Sequence, residues 1–335
     1  MSLAVSRARV AIVGAGVAGL ACARELAARG ARVTVFEAGR AAGGRVATLP
    51  TAFGPFDHGA QYFTVQHHRF EAALAPLRGE GVVQRWNGRV IAFTAGRSTE
   101  KSMSAERWVG VPAMAALPRR LAAGLDVQFG VRIAALERRG GRWFVHDEAR
   151  NERSASGFDV VGFALPSPGC AELLRGVSDL ADRLAALVWE PCWAALLALA
   201  RPSGIDFDGA FVNGDAALGW IARDDRKPLR PTVQGVAERW VLHAHPAWSR
   251  RHFVIGDDEA ARRLADAFAA RVGRALELRH ATAHRWTVAT ARESLPQPCL
   301  WDARHRIGVA GDWFGPPRVE GAYLSGLALA DAIAG

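Results

Sequence analysis

The sequence predicts an α/β protein whose parallel sheet is assembled from both ends of the chain. Three observations support this: a strand–turn–helix–strand unit at residues 9–37, a buried strand at 158–166, and a strand at 306–311 followed by a helix at 320–333. Short apolar strands that alternate with helices are typical of parallel βαβ units.

The N-terminal unit has the clearest pattern in the chain. Residues 9–14 are a short apolar run that ends in glycine, as a buried parallel strand does. Residues 17–29 have helical spacing, and Gly30 follows as a C-terminal cap. Residues 32–37 form a β-branched strand that ends in an acid. This order of elements within about 30 residues is the βαβ unit of a Rossmann-type domain.

The middle of the chain predicts a second domain. Residues 82–93 suggest antiparallel strands, residues 125–136 and 143–146 suggest strands joined by a glycine turn, and residues 170–283 mix helices with strands. We therefore expect an α/β class with an inserted α+β substrate domain on an antiparallel sheet. The discontinuous Rossmann-type domain is predicted at 1–78, 119–169 and 284–335, and the substrate domain at 79–118 and 170–283.

The charge of the chain favours small anionic partners. The formal net charge is +9, carried almost entirely by arginine, since Lys101 and Lys227 are the only lysines. A basic balance can attract nucleic acid or membranes, but the chain has no dense basic run and no amphipathic basic helix. We therefore predict a small-molecule substrate that is anionic or nicotinamide-like, with no nucleic acid or membrane partner.

The cysteines predict neither disulfides nor a metal site. Cys22, Cys170, Cys192 and Cys299 are scattered, with no C-x-x-C pair and no metal-ligand spacing. Reduced, mostly structural cysteines are typical of a cytoplasmic protein, which is the location we expect.

Three glycines in the first turn indicate a phosphate-binding loop. Gly14 permits a tight strand-to-helix turn, Gly16 allows a pyrophosphate to approach the backbone, and Gly19 allows close packing of helix and strand. The helix start at residues 16–18 offers free N–H groups and the positive end of the helix dipole.

The acid at the end of the second strand supports dinucleotide binding. Glu37 lies 18 residues after Gly19, where a carboxylate hydrogen-bonds the diol of an adenosine ribose. A carboxylate at this position favours an unphosphorylated ribose, so the expected cofactor is FAD or NAD rather than NADP. The structural alternative is a glycine-rich turn with a solvated Glu37.

The next segment separates FAD from NAD. Residues 39–45 (Gly-Arg-Ala-Ala-Gly-Gly-Arg) resemble the second flavin fingerprint of the flavin-containing amine oxidase superfamily. The resemblance implies that Gly43 and Gly44 let the loop lie against the diphosphate. It implies that Arg45, together with Arg40, supplies a guanidinium to phosphate oxygens. Without the resemblance, the segment reads as an exposed turn with surface arginines.

The C-terminal segment resembles the same superfamily. Residues 308–312 are a strand that ends in Gly-Asp, an element that in this superfamily brings an acid to the ribityl chain. Residues 318–322 (Arg-Val-Glu-Gly-Ala) open the last helix, whose N–H groups are expected at the pyrimidine edge of the flavin. We therefore predict non-covalent FAD binding by Gly14, Gly16, Ala18, Gly19, Glu37, Ala38, Arg40, Gly44, Arg45, Gly59, Ala60, Gln61, Ile133, Gly311, Asp312, Val319, Glu320, Gly321 and Ala322.

Four segments resemble the renalase-like bacterial flavoproteins more closely. They are residues 56–63, 110–114, 284–286 and 306–322. The resemblance implies oxidation of off-pathway dihydronicotinamide isomers of NAD(P)H. A hydride passes to flavin N5, and reoxidation by O2 gives H2O2.

Four side chains are candidates for the substrate side. Tyr62 follows Asp-His-Gly-Ala-Gln and is expected to face the substrate, while Trp286 walls the flavin pocket. Strand alternation over residues 240–245 places His243 and His245 on one face, where they line the substrate cavity. For each residue the alternative is a structural role in the core.

Departures from the superfamily pattern leave other functions open. Many amine oxidases place a lysine beside flavin N5, and neither Lys101 nor Lys227 lies in a flavin motif. No cysteine lies within residues 311–322, which argues against covalent attachment. The alternatives are an amine oxidase or desaturase on the same fold, and a non-catalytic flavin-binding or redox-sensing protein.

Overall fold

The computed structural model describes residues 5–94, 97–100 and 106–335. Its helices are α1 (Val17–Ala28), α2 (His68–Gly79), α3 (Ala116–Ala122), α4 (Ser167–Leu174), α5 (Leu180–Ala185), α6 (Pro246–Arg251), α7 (Asp257–Val272) and α8 (Val319–Ala334). In these described ranges, no helix is long and apolar enough to cross a bilayer.

The strands follow the same chain order. They are β1 (Arg9–Val13), β2 (Arg32–Glu37), β3 (Leu49–Thr51), β4 (Gly54–Phe56), β5 (Val83–Arg85), β6 (Val90–Thr94), β7 (Arg97–Glu100), β8 (Trp108–Gly110), β9 (Asp126–Phe129), β10 (Ile133–Arg139), β11 (Arg142–Asp147), β12 (Val160–Phe163), β13 (Trp189–Leu199), β14 (Gly209–Asn213), β15 (Leu218–Arg223), β16 (Glu238–Ala244), β17 (Leu278–Ala291), β18 (Leu300–Asp302) and β19 (Ile307–Val309).

A six-stranded sheet joins the two ends of the chain. Its order is β18-β19-β12-β1-β2-β9, with β1 parallel to β2 and β12, and β12 parallel to β19. Ile12 pairs with Val35 on one side and with Gly162 on the other. The predicted α/β class and Rossmann-type sheet are therefore confirmed, with β18 as an antiparallel edge strand.

Close approach at the first turn requires glycine. Gly14 has φ of +107°, and a Cβ there would lie 2.6 Å from the carbonyl oxygen of Ala164. A Cβ on Gly19 would overlap the carbonyl oxygen of Gly14. The two glycines thus bring the start of α1 against the ends of β1 and β12.

Helix α8 packs directly against α1. A Cβ on Gly326 would overlap the carbonyl oxygen of Ala18 and would lie 3.0 Å from the Cβ of Ala21. In the second turn of α8, the Ser325 hydroxyl accepts a hydrogen bond of 3.0 Å from the backbone N–H of Gly311. Both helices therefore begin at the carboxyl-end edge of the parallel strands, and their N-termini lie close together.

The second sheet has seven strands in the order β17-β13-β16-β15-β14-β6-β7. Strand β13 is antiparallel to β16 and β17, and β14 is parallel to β6. Helix α7 packs on one face of this sheet through Leu264 and Phe268, which are fully buried. Strand β17 continues the sheet across residues 283 and 284, where the sequence placed a domain boundary.

Two local expectations differ from the structure. Residues 125–136 form two strands because Gly130 has φ of +71° and turns the chain between them. Strand β9 joins β2 in the six-stranded sheet, whereas β10 pairs with β11. Residues 82–93 are predicted to form antiparallel strands of one further domain, but β5 pairs with β8 outside the seven-stranded sheet, whereas β6 pairs with β7 and β14 within it.

Because α1 and α8 are in close contact, alanine substitutions at two helical glycines should have different effects on stability. Gly326→Ala forces a methyl group against Ala18, so we expect a loss of unfolding free energy of about 1–3 kcal/mol in urea denaturation. Gly79→Ala is the control, because a Cβ at that position in α2 meets nothing within 4 Å. It should be neutral or slightly stabilising. Equal effects of the two substitutions would contradict the packing described.

Candidate functional site

One cavity of about 800 Å³ opens where the N-termini of α1 and α8 meet. Its walls come from both sheets. The residues predicted as functional that line it are Gly14, Gly16, Ala18, Glu37, Gly44, Arg45, Gly59, Ala60, Tyr62, His243, Trp286, Gly311, Asp312, Val319 and Ala322. The remaining predicted residues do not line it: Gly19, Ala38, Arg40, Gln61, Ile133, His245, Glu320 and Gly321.

The α1 end of the cavity offers free backbone donors. The first intrahelical hydrogen bond runs from Leu20 N–H to the Gly16 carbonyl (3.0 Å), so the N–H groups before Leu20 have no helical partner. A Cβ on Gly16 would meet nothing within 4 Å. Open space in front of a helix N-terminus is suited to a phosphate group.

Glu37 is held at the end of β2 by backbone donors. One carboxylate oxygen accepts from Ala15 N–H at 2.8 Å and the other from Gly39 N–H at 2.7 Å. Each oxygen retains a further acceptor site, so the carboxylate can still accept from ligand hydroxyls. Ala38 and Arg40 lie beyond it and are exposed.

Arg45 and Asp312 bind each other. The two guanidinium Nη atoms donate to the two carboxylate oxygens at 2.7 and 3.0 Å, and Nη1 also donates to the carbonyl of Ala289 at 3.0 Å. The guanidinium carbon lies 5.1 Å from the ring centroid of Trp189. The pair links the loop after β2 to the end of β19, and both side chains face the cavity.

The α8 end of the cavity also has free backbone donors. Ala322 N–H bonds to the carbonyl of Arg318 (3.0 Å), so the first-turn N–H groups before it lack helical partners. Glu320 does not point into the cavity. Its buried carboxylate accepts from the N–H groups of Gln66 and His67, both at 2.7 Å, and fixes the loop before α2.

A histidine–tryptophan group backs the other wall. The carbonyl oxygen of His58 accepts from Trp286 Nε1 at 3.0 Å and lies 3.1 Å from His243 Nε2. The rings of His58 and Trp286 stack at 4.9 Å, and the His284 ring meets His58 edge-on at 4.8 Å. These contacts fix the orientation of the two cavity-lining side chains, His243 and Trp286.

Burial keeps these histidines neutral. Burial, reinforced by His284, lowers the pKa of His58 to about 4. Burial likewise lowers the pKa of His243 to about 4. A neutral His243 that donates from Nε2 to a carbonyl must carry its lone pair on Nδ1. It is therefore a hydrogen-bond acceptor at neutral pH.

His245 does not join His243 at the cavity, which corrects the sequence expectation. Strand β16 ends at Ala244, so the alternation that would put both side chains on one face stops before His245. His245 is exposed, and its Nδ1 accepts from Ala247 N–H as the N-cap of α6. Ile133 does not line the cavity either, because it packs in the core with Val145 and Phe163.

A buried ionic cluster lies behind the Gly59–Gln61 segment. The ammonium of Lys227 donates to Asp224 at 2.6 Å and to Asp57 and the side-chain oxygen of Gln61, both at 3.2 Å. Arg230 donates to Asp57 at 2.5 Å. Burial opposes ionisation of Asp57, but Lys227 and Arg230 outweigh it and lower its pKa to about 2.

The cluster holds the loop that lines the cavity. The Gln61 amide donates to the carbonyls of Asp57 and Gly59, and Ala60 N–H donates to the carbonyl of Arg45 at 2.9 Å. Sequence reasoning missed Lys227 and Asp57 as supporting residues. The only available signals were the rarity of lysine and the position of Asp57 before His58-Gly59.

Two other cavity residues gave no usable sequence signal, and a third is marked in the sequence only as the first residue of the 318–322 motif. Cys192 lies opposite Trp286 in the pairing of β13 with β17, and Phe211 projects from β14. Arg318 lies at the rim before α8. The two strands belong to the middle region, where neither glycine motifs nor turn spacing mark a site.

The cavity lies between a Rossmann-like sheet and a second, mainly antiparallel sheet. Residues 12–77 match the family model of NAD(P)-binding Rossmann-like domains. The whole chain is similar in fold to solved oxidoreductases. A protein from Exiguobacterium sp. assigned as a protoporphyrinogen oxidase has a TM-score of 0.78 and 14% identity, with 98% of each chain covered.

Two further comparisons point to the same kinds of enzyme. Cyclohexylamine oxidase from Brevibacterium oxydans has a TM-score of 0.71 and 13% identity, with 98% of this chain and 99% of that chain covered. Hydroxyneurosporene desaturase of Rhodobacter capsulatus is 48% identical over 62 residues, which are 18% of this chain and 13% of that enzyme.

A plant enzyme matches over a segment of similar length. Protoporphyrinogen oxidase 2 of Arabidopsis thaliana is 49% identical over 61 residues, which are 18% of this chain and 12% of the enzyme. These relatives and structural neighbours are oxidoreductases of the amine oxidase, desaturase and protoporphyrinogen oxidase kinds. The aligned sequence segments cover a small part of the two curated relatives.

The buried histidines predict acid sensitivity. Because their pKa values fall from 6.5 to about 4 on folding, the unfolded chain binds protons more readily below pH 6.5. The stability that the neutral histidines contribute is fully present above pH 6.5 and is lost as the pH falls toward 4. We expect a loss of about 1.4 kcal/mol per pH unit for each such group.

The variant His58→Phe tests this assignment. Phenylalanine keeps a ring against Trp286 but cannot be protonated, so urea denaturation between pH 6.5 and 4.5 should show a shallower decline than wild type. His68→Phe, at an exposed position outside the group, is the control. A slope unchanged by His58→Phe would exclude His58 from the acid response.

Proposed function

We propose that this chain is an FAD-dependent oxidoreductase that oxidises a small molecule. The observation that carries the proposal is the opening of two helix N-termini, those of α1 and α8, onto one cavity. FAD has two sites for such donors: its diphosphate, and the pyrimidine edge of its ring, which gains negative charge on reduction. A ligand with only one anionic group would use only one of these ends.

The residues present fit FAD. The free N–H groups of α1 would hold the diphosphate, and Glu37 would accept from the ribose hydroxyls. Asp312, oriented by Arg45, would meet the ribityl chain, and the first-turn N–H groups of α8 would meet the pyrimidine edge. Bound FAD would supply a hydride acceptor. The predicted division into an FAD-binding domain and a substrate domain is part of this proposal.

For the substrate, we propose a dihydronicotinamide isomer of NAD(P)H, with O2 as the electron acceptor. Oxidation of such a ring by hydride loss leaves an aromatic cation and needs no general base. The cavity suits a reaction that needs no general base, because His243 is held as a neutral hydrogen-bond acceptor. Tyr62 and Trp286 provide aromatic walls. The ammonium of Lys227 is enclosed by Asp57, Gln61 and Asp224 and does not line the cavity.

An amine oxidase is the second candidate, favoured by the fold similarity to cyclohexylamine oxidase. Amine oxidation removes a hydride equivalent from a carbon next to nitrogen and requires the amine to be deprotonated. Nδ1 of His243 is an acceptor that could bind an amine N–H. The two candidate functions therefore differ in which substrate reduces the flavin.

Gly16→Val tests the cofactor site. Its side chain would occupy the open space before α1, so we expect at least a 10-fold loss of FAD affinity, about 1.4 kcal/mol, in absorbance titrations of the apoprotein. Gly256→Val is a matched control. Gly256 also caps a helix, with φ of −73° against −74° for Gly16, and a Cβ there meets nothing within 4 Å. Equal FAD affinity in the two variants would show that FAD does not bind at α1.

An anaerobic titration tests the substrate. The FAD-loaded protein is mixed with the dihydro isomers formed by borohydride reduction of NAD, with NADH, or with a panel of primary amines. We expect bleaching of the flavin absorbance by a minor isomer and not by NADH or amines. Bleaching by an amine would establish the second candidate instead. A protein that no compound bleaches would overturn the enzymatic proposal.

A further inference from the structure

Two guanidinium nitrogens of Arg107, near the cavity, lack hydrogen-bond partners among the described residues. Its guanidinium carbon lies 5.8 Å from the ring centroid of Tyr62. Nε and Nη2 of Arg107 are buried and have no hydrogen-bond partner among the residues that the structure describes. Tyr62 lines the cavity, whereas Arg107 does not. A buried cation without an anionic partner is costly, so its position calls for an explanation.

A second arginine approaches Tyr62 from the rim of the cavity. Arg318 is exposed, lines the cavity and precedes the first turn of α8. Its Nη1 donates to the side-chain oxygen of Gln66 at 3.1 Å, a neutral partner. Its charge lowers the pKa of Tyr62 in the same sense as that of Arg107, although burial raises that pKa more.

Neither arginine has an acidic partner. In residues 5–94, 97–100 and 106–335, no aspartate or glutamate forms an ion pair with Arg107 or Arg318. The segments between these ranges contain no acidic residue: 95–96 is Ala-Gly and 101–105 is Lys-Ser-Met-Ser-Ala. Arg45, on the same cavity, is neutralised by Asp312. Among the described residues that line the cavity, Arg318 therefore leaves an uncompensated positive charge at the Tyr62 end.

We propose that Arg318, Tyr62 and Arg107 form a subsite for an anionic oxygen group of the substrate, a phosphate or a carboxylate. Arg318 would contact the anion directly from the rim. Tyr62 lines the cavity, and its hydroxyl would donate a hydrogen bond to the anion. Arg107 is a positioning residue, which orients the phenol and adds its charge.

This inference rests on the proposed function and narrows its substrate. A dinucleotide carries phosphates that such a subsite binds, whereas a protonated amine meets two uncompensated cations. Guanidinium groups bind phosphate and carboxylate with charge-assisted hydrogen bonds. The same charges repel cationic substrates, which selects against amines by repulsion as well as selecting for anions by attraction.

Two substrates that differ only in phosphate content test the subsite. The FAD-loaded wild type and Arg318→Gln are reduced anaerobically with the active dihydro isomer as dinucleotide and as the phosphate-free riboside. We expect Arg318→Gln to raise the half-saturating dinucleotide concentration about 10-fold, with the limiting rate unchanged and the riboside unaffected. Arg262→Gln, an exposed charge loss on α7, should change neither substrate. Equal effects on both substrates, or none, would overturn the proposal.

Arg107 is tested by a conservative pair of variants. Arg107→Gln should weaken dinucleotide binding and its dependence on salt, and Arg107→Lys should restore much of the salt dependence, because it restores the charge. A purely structural role would move thermal stability in both variants but would not distinguish dinucleotide from riboside. That outcome would remove Arg107 from the subsite and leave Arg318 to be judged alone.

The subsite can also be judged if the proposed function fails. If no dihydro isomer bleaches the flavin, the FAD-loaded protein is titrated with inorganic pyrophosphate while flavin fluorescence is followed. Saturable perturbation in wild type and in Arg262→Gln, with at least 10-fold weaker binding in Arg318→Gln, would support the anion subsite without the substrate. No saturation, or the same affinity in Arg318→Gln, would refute it.

Discussion

The site depends first on the close contact between α1 and α8. Gly326 of α8 lies against the carbonyl of Ala18 in α1, at a distance that only a residue without a side chain permits. Because each helix follows a parallel strand of the same sheet, this contact places two sets of free N–H groups on one cavity. Two positive helix ends would repel each other weakly, and an anionic ligand between them relieves that repulsion.

The loops around the cavity are held by ion pairs whose charges cancel. The Lys227 cluster and the Arg45–Asp312 pair each match cations with carboxylates, so they hold loops in place without adding net charge to the cavity. The histidines near Trp286 are neutral for a different reason, which is burial. The uncompensated arginines near Tyr62 thus contrast with the rest of the site, where a charge has a partner or is suppressed.

Local sequence patterns predicted the Rossmann-type half of the fold well. The glycine spacing at 14–19 and the strand ending at Glu37 depend on short-range geometry, which a sequence displays directly. The site in the second domain could not be predicted this way. His245 failed because a strand end cannot be located from alternation alone, and Lys227 meets Asp57 only through the tertiary fold. The pairing of Arg107 with Tyr62 has the same long-range origin.

The order of strands in the six-stranded sheet has a consequence for synthesis of the chain. Strand β12 separates β1 from β19, and β19 comes much later in the chain than either. Until β19 emerges from the ribosome, one edge of β12 has no partner and can pair with another chain. Many native contacts also join residues far apart in sequence, which slows folding. A growing chain of this protein therefore exposes an apolar strand edge until β19 is made, and during that interval aggregation competes with folding.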